Sequence, residues 1–138
     1  MTAPESPHRF LHPRGWKAAR GYANGVLADG QAIFLGGQIG WNADQVFETV
    51  DFVGQVEQAL RNIVTILAEA GAGPEHLVRL TWFVTDKSVY LERLREVGEV
   101  YVSVLGRHFP AMSLVEISAL LEDSAKVEIE ATAVIPRS

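Results

Sequence analysis

Residues 52–85 read FVGQVEQALRNIVTILAEAGAGPEHLVRLTWFVT, and they carry a change of period from helix to strand. In the first half, Val56, Ala59, Leu60, Ile63, Leu67 and Ala70 recur every three or four positions, with Gln55, Gln58, Arg61, Asn62 and Glu69 between them. This spacing predicts an amphipathic helix with one buried face, begun by Asp51 as N-cap and stopped by Gly71 with Pro74 beyond it. In the second half, Val78, Leu80, Trp82 and Val84 alternate with Arg79, Thr81, Phe83 and Thr85, the period of a strand. A helix long enough to cross over, followed by a strand, points to a βαβ-type connection in a mixed sheet with helices on one face.

Working outward, Tyr22–Leu27 and Ala32–Leu35 are short apolar runs on either side of Asp29-Gly30, a dipeptide suited to a tight turn, so a β-hairpin is expected to open the domain. Tyr90, Leu94, Val97, Tyr101 and Val104 predict a second helix, capped by Ser88 and stopped by Gly106. Gly98 falls inside it, where glycine is disfavoured, and therefore calls for a reason such as close packing or room for a ligand. Ser113–Leu120 and Lys126–Ile135 have strand period. The fold class is thus α+β, two helices covering one face of a mixed sheet. The other face must be polar or covered by another copy of the chain, and Trp82 with its aliphatic neighbours favours an oligomer. Residues 1–15, with Pro4, Pro7 and Pro13, read as a loose N-terminal arm ahead of a single domain over 16–138.

Composition narrows the function. The chain has 138 residues, a formal net charge of -5 and no cysteine. A folded chain of this mass exposes roughly 7,000 Å² and has a thin core, which argues against a large enclosed pocket and for a site shared between subunits. Without cysteine there are no disulfides, thiolate nucleophiles or Cys-ligated metals. Three lysines and nine scattered arginines on an acidic chain argue against a nucleic-acid partner, and no apolar run is long enough for a membrane span. The expected location is the cytoplasm. His8, His12, His76 and His108 lack metal-ligand spacing, and no Gly-x-Ser-x-Gly elbow is present. Gly36-Gly37-Gln38-Ile39-Gly40 follows a strand but opens no helix, so it is read as a place of close backbone approach rather than a phosphate cradle. Glu128 and Glu130 share a strand face, either solvated with Lys126 as partner or lining a subunit cleft where one could handle a proton. Tyr22 is either a packed aromatic or a phenol aimed at a ligand. Trp16 and Trp41, beside glycines, are candidates for a binding surface.

Ile33-Phe34-Leu35-Gly36-Gly37-Gln38-Ile39, Gln58-Ala59-Leu60-Arg61-Asn62-Ile63, Leu80–Asp86, Phe109-Pro110-Ala111 and Val127-Glu128-Ile129-Glu130-Ala131 occur in an order and spacing that resembles the RidA/YjgF family from Gly21 to Ile135. The resemblance implies a chorismate-mutase-like fold, a homotrimer with ligand clefts between subunits, and hydrolysis of reactive enamines and imines to 2-oxo acids and ammonia with no metal or cofactor. It implies Glu128 as the catalytic residue that positions water, with Glu130 the weaker candidate. Tyr22, Gly36, Gly37, Met112 and Leu114 are implied as substrate-binding positions. Three of the family's polar positions depart: the arginine that clamps the substrate carboxylate is Met112, a serine is Gly36, and an asparagine aligns best with Gly98. A guanidinium–carboxylate contact contributes about 1.5–3 kcal/mol, and methionine supplies neither charge nor donor. Arg107 or another arginine reaching in from elsewhere stays open. The expected ligand is a small molecule, aromatic or thioester-like, without a free α-carboxylate, and the expected chemistry is deaminase-type hydrolysis of an enamine or imine. The alternative is a non-catalytic module binding a small aromatic metabolite on the same trimer. A ribonuclease role, a label some relatives carry, fits poorly with the acidic charge and the absence of paired histidines.

Overall fold

The computed structural model describes residues 6–137. Helix α1 spans Phe52–Glu69, and its N-cap is Asp51, whose carboxylate accepts the Gly54 N–H at 3.1 Å. Gly71 just past its end takes φ +72°, a left-handed conformation that glycine adopts without strain. Val56, Ala59, Leu60, Ile63 and Leu67 are fully buried, the stripe expected from the spacing.

The strands are β1 (Arg9–Leu11), β2 (Gly25–Leu27), β3 (Gly30–Ile39), β4 (Leu77–Val84), β5 (Ala111–Glu116) and β6 (Val127–Pro136). Four of them form a sheet in the order β3-β6-β4-β5. Only β4 and β5 are parallel neighbours, and the segment between them contains helices α2 (Lys87–Glu92) and α3 (Leu94–Leu105), so this is a βαβ crossover in a mixed sheet. Leu80, Trp82, Val127 and Ile129 point from the sheet into one core shared with α1 and α3. The opposite face presents Arg79, Thr81, Phe83, Glu128 and Glu130, with Phe34 80% exposed.

Four expectations change. The opening hairpin does not form: β2 pairs antiparallel with β1, placing Phe10 opposite Val26, and β3 instead pairs with β6. Gly30 explains the second choice, because a Cβ there would lie 1.9 Å from the Ile135 carbonyl oxygen, an approach that only glycine permits. The stretch read as a loose arm accordingly contains a strand. The second helix is two, interrupted at Arg93 (φ −112°, ψ 22°), and the cap of α2 is Asp86, which accepts the Ser88 N–H at 2.9 Å. Trp82 belongs to the helix side, 4% exposed and stacked on Tyr101 at 6.4 Å, so the open face owes its apolar character to Phe34, Phe83 and Val115 rather than to Trp82.

Candidate functional site

Between α3 and the edge of the sheet lies an open cavity of about 420 Å³. Its floor is set by register: Met112 pairs with Leu80 and Leu114 with Trp82, so both side chains stand on the helix side of β5. Tyr22 is held beside them because the Ala23 N–H donates to the Pro110 carbonyl at 3.0 Å and Ala23 bridges Ala111 in parallel. Tyr90, Leu94 and Gly98 form the wall contributed by the helices. Tyr90 is half-buried, and burial raises its phenol above the ordinary value. Tyr101, also part of the lining, donates its hydroxyl to the His108 carbonyl at 2.6 Å and stacks on Phe109 at 5.2 Å, so its hydroxyl is committed to structure. Of the arginines, Arg20 lines this cavity, exposed at its mouth; Arg107 does not line it. Among the described residues no acidic side chain borders the cavity.

The remaining expected residues stand elsewhere. The β3–β6 register jumps from Leu35↔Ala131 to Gln38↔Ile129, leaving Gly36 and Gly37 opposite a single residue in a β-bulge. A Cβ at Gly37 would lie 2.6 Å from Cδ of Glu128, so the bulge opens a seat for that carboxylate. Glu128 pairs across the sheet with Phe83 and therefore points to the open face, away from Trp82 and the cavity. Among the described residues it makes no hydrogen bond or ion pair, and Lys126 is not its partner. The sequence-predicted site is thus divided. Tyr22, Met112 and Leu114 meet on the helix side; Gly36, Gly37 and Glu128 meet on the open face.

The sequence reading missed Arg20 and Tyr90 as lining residues, and it took Trp82 as core or as apolar surplus favouring an oligomer rather than as part of a cavity wall. Gly98 was the one available signal. Among the described residues no group of His, Asp and Glu stands close enough to hold a metal ion, and no helix is long and apolar enough to cross a membrane.

A mixed sheet with a βαβ unit, helices on one face and functional candidates on both faces defines a class of small α+β protein. Within that class the chain belongs to the RidA/YjgF family: residues 14–135 match the family model described as Endoribonuclease L-PSP. Protein DfrA of Myxococcus xanthus is 40% identical over 124 residues, covering 86% of this chain and 88% of its own length. The 2-iminobutanoate/2-iminopropanoate deaminase of Escherichia coli K12 is 35% identical, covering 82% of this chain and 86% of its own. Among solved structures, YyfB of the Rid protein family from Yersinia pestis superposes with a TM-score of 0.83 at 28% identity, covering 93% of this chain and 98% of its own. Rv2704 of Mycobacterium tuberculosis gives 0.62 at 36% identity, covering 83% and 87%.

Proposed function

We propose that this protein is a deaminase-type hydrolase of a reactive enamine or imine that lacks a free α-carboxylate, acting in clefts between the subunits of a homotrimer. The observation that carries the proposal is the division of the site. Glu128 and its glycine bulge lie on one face of the sheet, and the cavity with Tyr22 and Met112 lies on the other. One copy cannot bring them to a common substrate, whereas a cyclic arrangement sets the open face of one subunit against the cavity mouth of the next. The exposed Phe34 on the Glu128 face supports such a contact.

In this cleft the substrate's apolar part lies against Met112 and Leu114, and Tyr22 holds its polar end. The Glu128 carboxylate of the adjoining copy takes a proton from a water molecule as that water adds to the C=N carbon. The nitrogen is protonated, the carbinolamine collapses, and ammonia leaves as the C=O bond forms. An enamine enters the same path after tautomerising to its imine. Met112 in place of a clamping arginine removes that residue's charged hold on an α-carboxylate. The deaminase name of the E. coli relative supports the reaction type.

Glu128→Gln keeps the shape and removes the base. Ammonia release from an imine substrate is expected to fall by about 100-fold or more, with the melting temperature unchanged. Unchanged turnover would overturn the mechanism. The second reading, a trimer that binds a small aromatic metabolite without converting it, is favoured by the largely apolar cavity lining. Calorimetric binding with no product by mass spectrometry would decide for it.

A further inference from the structure

Glycines inside this fold divide by what a side chain would meet. At Gly37, Gly40 and Gly54 an added Cβ would lie 2.6, 2.5 and 2.7 Å from its nearest neighbour, so close approach accounts for them. At Gly98 an added Cβ meets nothing within 4 Å. Close packing therefore does not explain this glycine, which sits in the interior of α3 where it weakens the helix. What it leaves is space, and that space belongs to the cavity bordered by Tyr90, Leu94 and Met112.

A second observation concerns what fills the space. Trp82 lines the same cavity, while its indole Nε1–H is closed off from open space and has no hydrogen-bond acceptor among the described residues, so an acceptor entering the cavity reaches it once a lining side chain moves aside. Buried donors are almost always paired, and an indole N–H can only donate, so the missing partner is an acceptor. Among the described residues the lining is otherwise aromatic, aliphatic or glycine, with Arg20 exposed at the mouth as its one charged member. An interior of this kind disfavours an ion and suits a flat apolar body with a neutral acceptor. Leu94 at the mouth and the flexible Met112 are the side chains free to yield as such a body enters.

The geometry points to a binding site for a neutral aromatic carbonyl compound, its ring in the space over Gly98 beside Met112 and its oxygen accepting the Trp82 N–H. This deepens the proposed function, on which it rests for its link to turnover: hydrolysis of an aromatic ketimine yields such a ketone and ammonia. Binding itself requires no turnover, so the two are separable by experiment.

The test uses acetophenone, benzoate and ethylbenzene, which share a ring and differ in acceptor and charge. Calorimetry is joined to fluorescence in a Trp16→Phe, Trp41→Phe background, where Trp82 is the remaining indole of the three. Acetophenone is expected to bind about tenfold or more tighter than either of the other probes. Trp82→Phe should erase its advantage over ethylbenzene. Gly98→Leu, which fills open space without straining the helix, should weaken acetophenone about tenfold or more while melting no lower than the parent. Because Gly98 lies at the exposed mouth, that variant remains informative if Trp82→Phe fails to fold. Tighter binding of benzoate, lost in Arg20→Gln, would overturn the inference in favour of an anion site. Unaltered acetophenone affinity in Gly98→Leu would overturn it as well. If acetophenone binds as expected but Glu128→Gln leaves ammonia release unchanged, the hydrolase reading falls and the ligand class stands. If acetophenone fails to bind while ammonia release depends on Glu128, the reverse holds.

Discussion

A methyl group at Gly37 would come within 2.6 Å of the Glu128 carboxyl carbon, and the flexible glutamate rather than the backbone would give way. Gly37→Ala is therefore expected to reduce ammonia release about tenfold or more while shifting the melting temperature by no more than about 2 °C, since displacement of a proton-handling group costs rate before stability. Equal turnover in Gly37→Ala and the parent would show that the position of Glu128 in its bulge is immaterial. His108 governs a different observable. Burial lowers its imidazole below the ordinary value of 6.5, partly offset by its hydrogen bond to the Leu77 carbonyl at 2.8 Å; His8 and His76 nearby lower it further and Glu75 raises it. The folded protein holds this ring neutral while the unfolded chain protonates it, so its contribution to stability is complete above about pH 6.5 and is lost as the pH falls below that. Asp51, lowered from 3.8 chiefly by its hydrogen bond to Arg93, follows the same sign in a lower window. Thermal melts should show a first decline below about pH 6.5 and a second below about pH 4. His108→Gln, whose amide can still donate to Leu77, should flatten the first and leave the second. At this scale Glu128 and Tyr22 were legible as candidates from their motifs, whereas the empty surroundings of Gly98 and the orphaned Trp82 N–H were not, because both depend on what other elements bring alongside.

Elements with a strong period were the readable ones. Helix α1 was read with its cap, its stop and its buried face, since each rests on residues close in sequence. The partner of β2 was not, because an apolar run names a strand without naming its neighbour, and β1 was hidden among prolines and polar residues. The break at Arg93 has no glycine or proline to mark it; it coincides with ion pairs from Arg93 to Asp51 and Glu96 that bind the start of α3 to the start of α1. Gln55 also lay outside the sequence reading of the core. Fully buried on α1, it donates to the carbonyls of Thr49 at 3.2 Å and Ser124 at 2.9 Å and accepts the Lys126 N–H at 2.9 Å, fixing the entry to β6. Gln55→Ala leaves those backbone groups unpaired and should lower unfolding stability by about 2–3 kcal/mol, read from the urea midpoint. A loss below about 0.5 kcal/mol would mean that water replaces the side chain fully.

The described surface of the whole molecule fits a subunit better than a finished particle. The chain exposes 8500 Å² against roughly 7,000 Å² for a monomer of its mass, and Phe34 stands 80% exposed on the edge strand of a sheet face that no described element covers. Phe34→Lys is expected to shift sedimentation from trimer to monomer and to remove ammonia release with it; a monomeric parent would refute the cleft. Composition pointed to a shared site only through the thinness of the core, and in the proposed trimer the two faces of the sheet give that expectation a geometric reason. That two-sidedness reaches into genetics. In the proposed cleft, Glu128→Gln damages only the half-site a subunit offers to its neighbour, and Gly98→Leu only the half it receives with. Mixed one to one during assembly, subunits from these two impaired alleles would rebuild an intact pairing at about a quarter of all clefts in a cyclic trimer. In the proposed trimer, a cell carrying both defective copies would thus be expected to show more activity than either copy provides alone.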